Sequence, residues 1–226
     1  PIRETARYTA TQCKKINDSC YVYHFPKNIA GVTELNVKGK KGTILRLKHG
    51  ELLDKNGRVN MANIDYHYRP TDDSDPFQTD IVILSGKQDR FMPKFNYKGF
   101  QFVEISSSAP IELSGENLIA IEMHSDVPAT GYWSSSSDLL NKIWEATNSS
   151  YLANLFGYPT DCPQREKNGW TGDAHITIET GLYNFDGISV YEKWMNDFCD
   201  EQKDNGVLPC IIPTSVWGYD WAHGVD

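Results

Sequence analysis

Residues 158–173 carry the densest set of side chains in this chain that are suited to acid–base chemistry. The segment reads YPTDCPQREKNGWTGD, and its two prolines and two glycines predict a loop rather than a helix. Acid–base cleavage of a glycosidic bond needs carboxyl groups held beside an aromatic surface. The loop offers three carboxylates, a guanidinium and an indole: Asp161, Glu166, Asp173, Arg165 and Trp170.

Each of these side chains also has a purely structural interpretation. Asp173 precedes an alanine-led helical pattern and would serve there as an N-cap. Glu166 lies between two cations, as solvated surface charges often do. Arg165 would pair at the surface with Asp161 or Glu166, and Trp170 would fill a core. Residue types and spacing alone leave both interpretations open.

The composition excludes several other classes of function. The 226 residues carry a formal net charge of -8, which argues against a general binder of nucleic-acid phosphates. Apolar runs are too short for a membrane span, as at Ile81–Leu84. The six histidines lack metal-ligand spacing, and no glycine-rich nucleotide motif occurs, so we expect neither a metal nor a cofactor. Five cysteines form no CxxC pair, although the spacing permits a Cys13–Cys20 bridge.

The first part of the chain has the pattern of β-strands. Short apolar or alternating runs are separated by Gly, Asn and Asp turns, which favours an antiparallel sandwich. The predicted strands are residues 21–25, 43–48, 80–84, 99–105 and 118–123.

The spacing of apolar residues along the chain changes after Pro128. Apolar residues then recur every three or four residues, which is the spacing of one face of a helix. Helices are predicted from Ser137-Asp138 to Tyr151, from Ala174 to Tyr183, and from Ile188 to about Gln202. Gly206 is the expected C-cap of the last helix. We therefore predict a β-sandwich domain over residues 1–132, followed over 133–226 by the start of a helical array.

The string PTDCPQREKNGWTGD resembles the signature of the bacterial α-L-rhamnosidases. The resemblance extends over most of the chain, through YHF and NIAG near the start, GELLD, FNYKGF, HSDVP and SDLLNKI, to NGVLP near residue 209. It implies an antiparallel β-sandwich followed by the first helices of an (α/α)6 barrel that carries the active site. Because this chain holds only those opening helices, we expect it to be a piece of a longer polypeptide.

The resemblance also implies roles for individual residues. Such enzymes remove terminal α-L-rhamnose with inversion, one carboxylic acid protonating the leaving oxygen while another carboxylate activates water. Glu166 matches the general acid, and the general base is expected beyond Asp226. The matching substrate-binding residues are Asp161, Arg165, Trp170 and Asp173. Residues 216–223 form an aromatic tail, in which Trp221 is a further expected pocket residue. Core packing is the alternative role for Trp221.

The expected partner is a rhamnosylated glycan or glycoside, with no nucleic acid and no membrane span, and no oligomeric state is predicted. A periplasmic or extracellular location rests on the resemblance, and a cytoplasmic one stays open. Two rival interpretations remain: another (α/α)-barrel glycosidase that cuts a different sugar, and a non-catalytic carbohydrate-binding module. We expect residues 1–226 alone to be inactive, because the base lies outside them.

Overall fold

The computed structural model describes residues 1–65, 77–214 and 217–220. The chain divides into two compact units, one formed by Glu4–Met123 and the other by His124–Asp226 together with Pro1–Arg3. The first unit is a sheet structure, whereas the second contains the three long helices.

The described residues up to Ser125 form ten strands, and all the pairings between them that have a defined register are antiparallel. In chain order they are β1 (Ile2–Thr9), β2 (Gln12–Asn17), β3 (Cys20–Lys38), β4 (Ile44–Gly50), β5 (Leu52–Leu53), β6 (Val59–Asn60), β7 (Thr79–Ile83), β8 (Gln88–Phe91), β9 (Lys98–Ser107) and β10 (Leu118–Ser125). A single helical turn, α1 (Ala62–Asp65), follows β6. The five strands predicted from sequence are β3, β4, β7, β9 and β10.

Strand β3 organises the large sheet, whose order is β1-β10-β3-β9-β4-β7. Its first half pairs with β2 and β9, and its last residues pair with β10 and β8. The register with β9 shifts between His24 and Ile29, around Pro26, which has no backbone N–H to donate to a ladder. The sheet therefore curls at β3, and the antiparallel sandwich expected from the strand pattern is confirmed.

The core of this unit is formed by side chains that the curled sheet encloses. Tyr23, Phe25, Leu35, Phe100 and Leu118 are all fully buried. Phe25 and Phe100 meet edge to face with ring centroids 6.0 Å apart, a geometry that contributes roughly 0.5–1.5 kcal/mol beyond area burial. Aromatic residues at alternating positions of β3 thus contribute to this core.

Three longer helices follow: α2 (Asp138–Ala153), α3 (Thr171–Asn184) and α4 (Ile188–Glu201). Tyr151 of α2 stacks on Phe185, and its hydroxyl lies 2.8 Å from that of Tyr191 on α4. Trp194 of α4 donates its indole N–H to the carbonyl of Ile212 at 2.7 Å. No helix in the described ranges is both long and apolar enough to cross a membrane.

The structure decides four local details that the sequence left as expectations or open alternatives. α3 begins at Thr171 with Trp170 at the N-cap position, so Asp173 lies in the first turn and is not the N-cap. Ser137 occupies the N-cap position of α2 but makes no side-chain capping bond. α4 ends before Gln202, and Gly206, with φ of +86°, belongs to a separate turn rather than to a C-cap. Cys13 and Cys20 are both free thiols.

Candidate active site

The signature segment runs from the end of α2 to the start of α3. Its first part folds into a compact turn in which the amide of Lys167 donates to the carbonyl of Cys162 at 3.2 Å. Lys167 adopts a φ of +57°, a left-handed conformation that is uncommon for a residue with a side chain. The amide of Asp161 also donates to the carbonyl of Asn168 at 3.0 Å, so both ends of the turn are joined.

The second part of the segment is fixed by backbone pairing with residues 210–212. The amide of Ile212 donates to the carbonyl of Gly169 at 2.9 Å, and the amide of Thr171 donates to the carbonyl of Cys210 at 3.0 Å. A Cβ at Gly169 would lie 2.0 Å from the Ile212 carbonyl oxygen, so only glycine permits this approach. The loop is thereby held against residues 210–212.

Asp161 is partly buried and strongly hydrogen-bonded. Its Oδ1 accepts from the amide of Asn168 at 2.9 Å, and its Oδ2 accepts from the thiol of Cys162 at 3.0 Å. Burial raises the pKa of Asp161 above its usual range, and the charge of Glu166 adds to the rise, while the two donors oppose it. The carboxylate therefore has a fixed orientation in a restricted environment.

Glu166 is held at both its backbone and its side chain. Its amide donates to Sγ of Cys162 at 3.3 Å, and its Oε2 accepts from the indole N–H of Trp170 at 3.1 Å. Nε of Arg165 lies 4.0 Å from Oε1 of Glu166, the outer limit of an ion pair, and both side chains are partly exposed. The sequence-predicted contact between Arg165 and Glu166 therefore exists but is weak.

Trp170 is partly buried, and its ring contacts a second indole. The ring of Trp217 meets it edge to face, with centroids 6.0 Å apart. Trp217 belongs to the aromatic tail but was not among the predicted site residues, because only the folded chain shows which tail residue approaches the loop. Trp221, the tail residue that was predicted, lies outside the described residues.

Asp173 projects from the first turn of α3 and is exposed. It lines, with Asp161, a cavity of about 460 Å³ between α2 and α3. The rest of the cavity wall is formed by apolar, amide and hydroxyl side chains and the peptide backbone of α2, α3 and the connecting loop: Ile143, Ala146, Thr147, Ser150, Tyr151, Asn154, Pro159, Thr160, Ala174, Ile176, Thr177 and Thr180. The structure thus brings Asp161, Arg165, Glu166 and Trp170 into one loop, with Asp173 at a cavity that Asp161 shares.

Asp161, Cys162 and Glu166 each offer one atom that could bind a metal ion, and these three atoms lie within 4.8 Å of one another. A metal would need the thiolate of Cys162, yet burial raises the pKa of this thiol, and its hydrogen bond to Asp161 raises it further. A cation bound here would therefore have to displace the proton of this thiol. That the site works without a metal stays a prediction.

The spacing of the two carboxylates limits the chemistry they can perform together. An inverting glycosidase places its acid and base roughly 6.5–9.5 Å apart, so that a water molecule fits between them. Oxygen atoms of Asp161 and Glu166 lie within 4.8 Å of each other, which is too close for that arrangement. The two carboxylates therefore do not match the spacing of an inverting pair.

Two family models match almost the whole chain. Residues 14–124 match the bacterial alpha-L-rhamnosidase concanavalin-like domain, and residues 128–225 match the bacterial alpha-L-rhamnosidase 6 hairpin glycosidase domain. The boundary between the matched ranges lies close to the division of the structure after Met123.

The individual relatives that match this chain are also alpha-L-rhamnosidases. An alpha-L-rhamnosidase of Alteromonas sp. (strain LOR) is 30% identical over 96% of this chain, and one of Formosa agariphila is 32% identical over 95%. The chain spans only 23% of the length of each of these relatives.

Solved structures are similar in fold as well. The alpha-L-rhamnosidase from Dictyoglumus thermophilum has a TM-score of 0.86 and 33% identity, covering 96% of this chain and 24% of that one. The Streptomyces avermitilis alpha-L-rhamnosidase, solved in complex with L-rhamnose, has a TM-score of 0.84 and 27% identity, covering 95% of this chain and 20% of that one.

Proposed function

Because this chain belongs to the bacterial α-L-rhamnosidase family, we propose that the full-length protein is a glycoside hydrolase that removes terminal α-L-rhamnose from glycans or glycosides. The observation that carries the proposal is the rigid signature loop. It presents Glu166 with its backbone and carboxylate both held, next to a second carboxylate and an indole.

Glu166 is the proposed general acid. Its Oε2 accepts the indole N–H of Trp170, so the proton to be delivered is carried by Oε1. In the reaction this proton passes to the glycosidic oxygen as the bond to the anomeric carbon breaks, while a water molecule attacks from the opposite face of the ring. The product then has the inverted anomeric configuration.

The base that activates this water is proposed to lie outside the 226 residues. Asp161 is too close to Glu166 to leave room for the water between them. Glu179 and Glu192, on α3 and α4, are both exposed, and we assign them no catalytic role. On this basis the 226-residue chain alone should bind sugar weakly at best and should not turn it over.

The remaining site residues are proposed to bind the sugar. Asp161 and Asp173 line a shared cavity where carboxylates would accept hydrogen bonds from sugar hydroxyls. Trp170 offers an aromatic surface suited to the apolar C–H face of a pyranose, and Arg165 offers donors beside it. Trp221 remains a proposed pocket residue from the family resemblance alone.

The test is hydrolysis of an aryl α-L-rhamnoside by the full-length protein, beside the matched α-glucoside and α-L-fucoside. Turnover of the rhamnoside alone would support the proposal. Turnover of another sugar would keep the acid–base mechanism but replace the substrate. Binding of L-rhamnose without turnover of any substrate would favour a carbohydrate-binding module.

A further inference from the structure

The thiol of Cys162 contacts both Asp161 and Glu166, the two residues whose carboxylates lie closest to it in the loop. It donates to Oδ2 of Asp161 at 3.0 Å and accepts the backbone N–H of Glu166 at 3.3 Å. The carbonyl of Cys162 also accepts from Lys167 and closes the same turn. Cys162, a buried residue, therefore connects the carboxylate of Asp161 to the backbone of Glu166 across the turn.

The thiol is suited to donate because it stays protonated. Burial raises the pKa of Cys162, and the hydrogen bond to Asp161 raises it further, although the amide of Glu166 opposes the rise. A protonated thiol offers one donor and one acceptor, and both are used here. No metal, disulfide or nucleophilic role is needed to explain its position.

We propose that Cys162 is a positioning residue, whose thiol fixes the carboxylate of Asp161 and the backbone of Glu166 relative to each other. This inference rests on the proposed function, since it assigns Glu166 the acid role and Asp161 a sugar-binding role. A displacement of about 1 Å in such a site can reduce the rate about a hundredfold. The thiol therefore contributes to the rate although it touches neither the substrate nor the transferred proton.

The substitutions Cys162→Ala and Cys162→Ser separate the hydrogen bonds from packing. Alanine and serine have nearly the same volume and are both smaller than cysteine, so each leaves a similar gap. Only the serine hydroxyl can donate to Asp161 and accept from Glu166. A difference between the two variants therefore reports on the hydrogen bonds and not on the gap.

In the full-length protein, we expect Cys162→Ala to lower kcat/KM for a rhamnosyl disaccharide at least tenfold and Cys162→Ser to recover most of it. The loss should be smaller for an activated aryl rhamnoside, because that leaving group depends less on a well-placed acid. Equal activity of the alanine variant and the wild type would overturn the proposal. Equal loss in the alanine and serine variants would also overturn it, because packing alone would then explain the effect.

The matched control is Cys20, a buried free cysteine of the sheet unit. Cys20→Ala and Cys20→Ser should both retain wild-type kcat/KM. A tenfold loss in either would contradict the claim that the effect is specific to the loop.

The S–H stretching band in the infrared provides a readout that does not depend on turnover. The band assigned by its loss in Cys162→Ala should move when Asp161→Ala removes the acceptor. If the wild type hydrolyses no rhamnoside, the proposed function fails. The infrared band then tests only the hydrogen bond between the Cys162 thiol and Asp161. A band that shifts supports the contact, whereas a band that stays in place overturns it.

Discussion

The indole nitrogen of Trp170 lies 3.1 Å from Oε2 of Glu166 and donates a hydrogen bond to it. Trp170 also occupies the N-cap position of α3 and forms a β-bridge with Ile211. The residue that starts the helix therefore also orients the proposed acid. The four-residue spacing between Glu166 and Trp170 places the acid within reach of a side chain whose backbone is held by the following helix.

Replacing Trp170 with phenylalanine should separate the hydrogen bond from the aromatic surface. The phenylalanine ring in Trp170→Phe can still pack against Trp217, but Glu166 loses the hydrogen bond donated by the indole N–H. Glu166 becomes negatively charged as it delivers its proton, and a hydrogen bond to a charged group contributes roughly 1.5–3 kcal/mol, so kcat should fall about tenfold or more. Steady-state kinetics on a rhamnosyl disaccharide would measure this. Trp144→Phe, which removes an indole bond to Asn184 away from the loop, should change kcat less than twofold.

Glu166→Gln tests the assignment of the acid itself. Glutamine keeps the size of the side chain but has no proton to deliver to the leaving oxygen. Cleavage of poor leaving groups should fall by roughly a hundredfold or more, while activated aryl rhamnosides, which need little protonation, should be spared. Glu192→Gln, at an exposed position of α4, is the matched control. Equal rates for Glu166→Gln and wild type on a natural disaccharide would remove Glu166 from the mechanism.

The sequence predicted the strands with a clear apolar pattern and failed for those without one. Strands β4, β7, β9 and β10 lie where alternating or apolar runs placed them. β1 reads IRETARYT and is mostly exposed, so it carries no alternating apolar signal. β3 continues for 19 residues through Pro26, although proline usually ends a strand, because the register shift there accommodates it.

The proximity of the candidate site residues could be predicted where they are close in sequence, but not where it depends on distant contacts. The loop and the proximity of Asp161, Arg165, Glu166 and Trp170 follow from the closeness of these residues in sequence. The edge-to-face contact of Trp217 depends on the return of the chain after α4, which no spacing predicts. Cys162 was considered for disulfide and zinc chemistry only, because a hydrogen-bonding thiol has no sequence signature.

Gly169→Ala should loosen the site without touching any proposed catalytic group. The new Cβ would lie 2.0 Å from the carbonyl oxygen of Ile212, and overpacking of this kind typically costs about 1–3 kcal/mol. We expect a lower melting temperature and a lower kcat for the full-length protein. Gly115→Ala is the matched control, since a Cβ there meets no atom within 4 Å. Equal melting temperatures for the two variants would show that the approach of Gly169 to Ile212 is not tight.

Acid should weaken the sheet unit through His49, a fully buried residue of β4. Its Nδ1 lies 3.1 Å from the carbonyl of Gln78 and its Nε2 lies 3.0 Å from the hydroxyl of Thr33, which suits the neutral ring. Burial, followed by the charge of Lys98, lowers the pKa of His49 to about 3. The unfolded chain, with a pKa of about 6.5, therefore binds the proton first as the pH falls.

This linkage fixes the sign and the range of the pH effect. The His49 contribution to the free energy of unfolding is constant above about pH 6.5 and decreases by up to about 1.4 kcal/mol per pH unit below it, until about pH 3. Hydrogen exchange of the Ile44–Gly50 amides, corrected for intrinsic rates, should lose up to about tenfold protection per unit from pH 6 to pH 5. In His49→Gln this decline should be reduced, whereas His175→Gln, at an exposed position of α3, should behave as the wild type. An unchanged decline in His49→Gln would assign the acid sensitivity to another group.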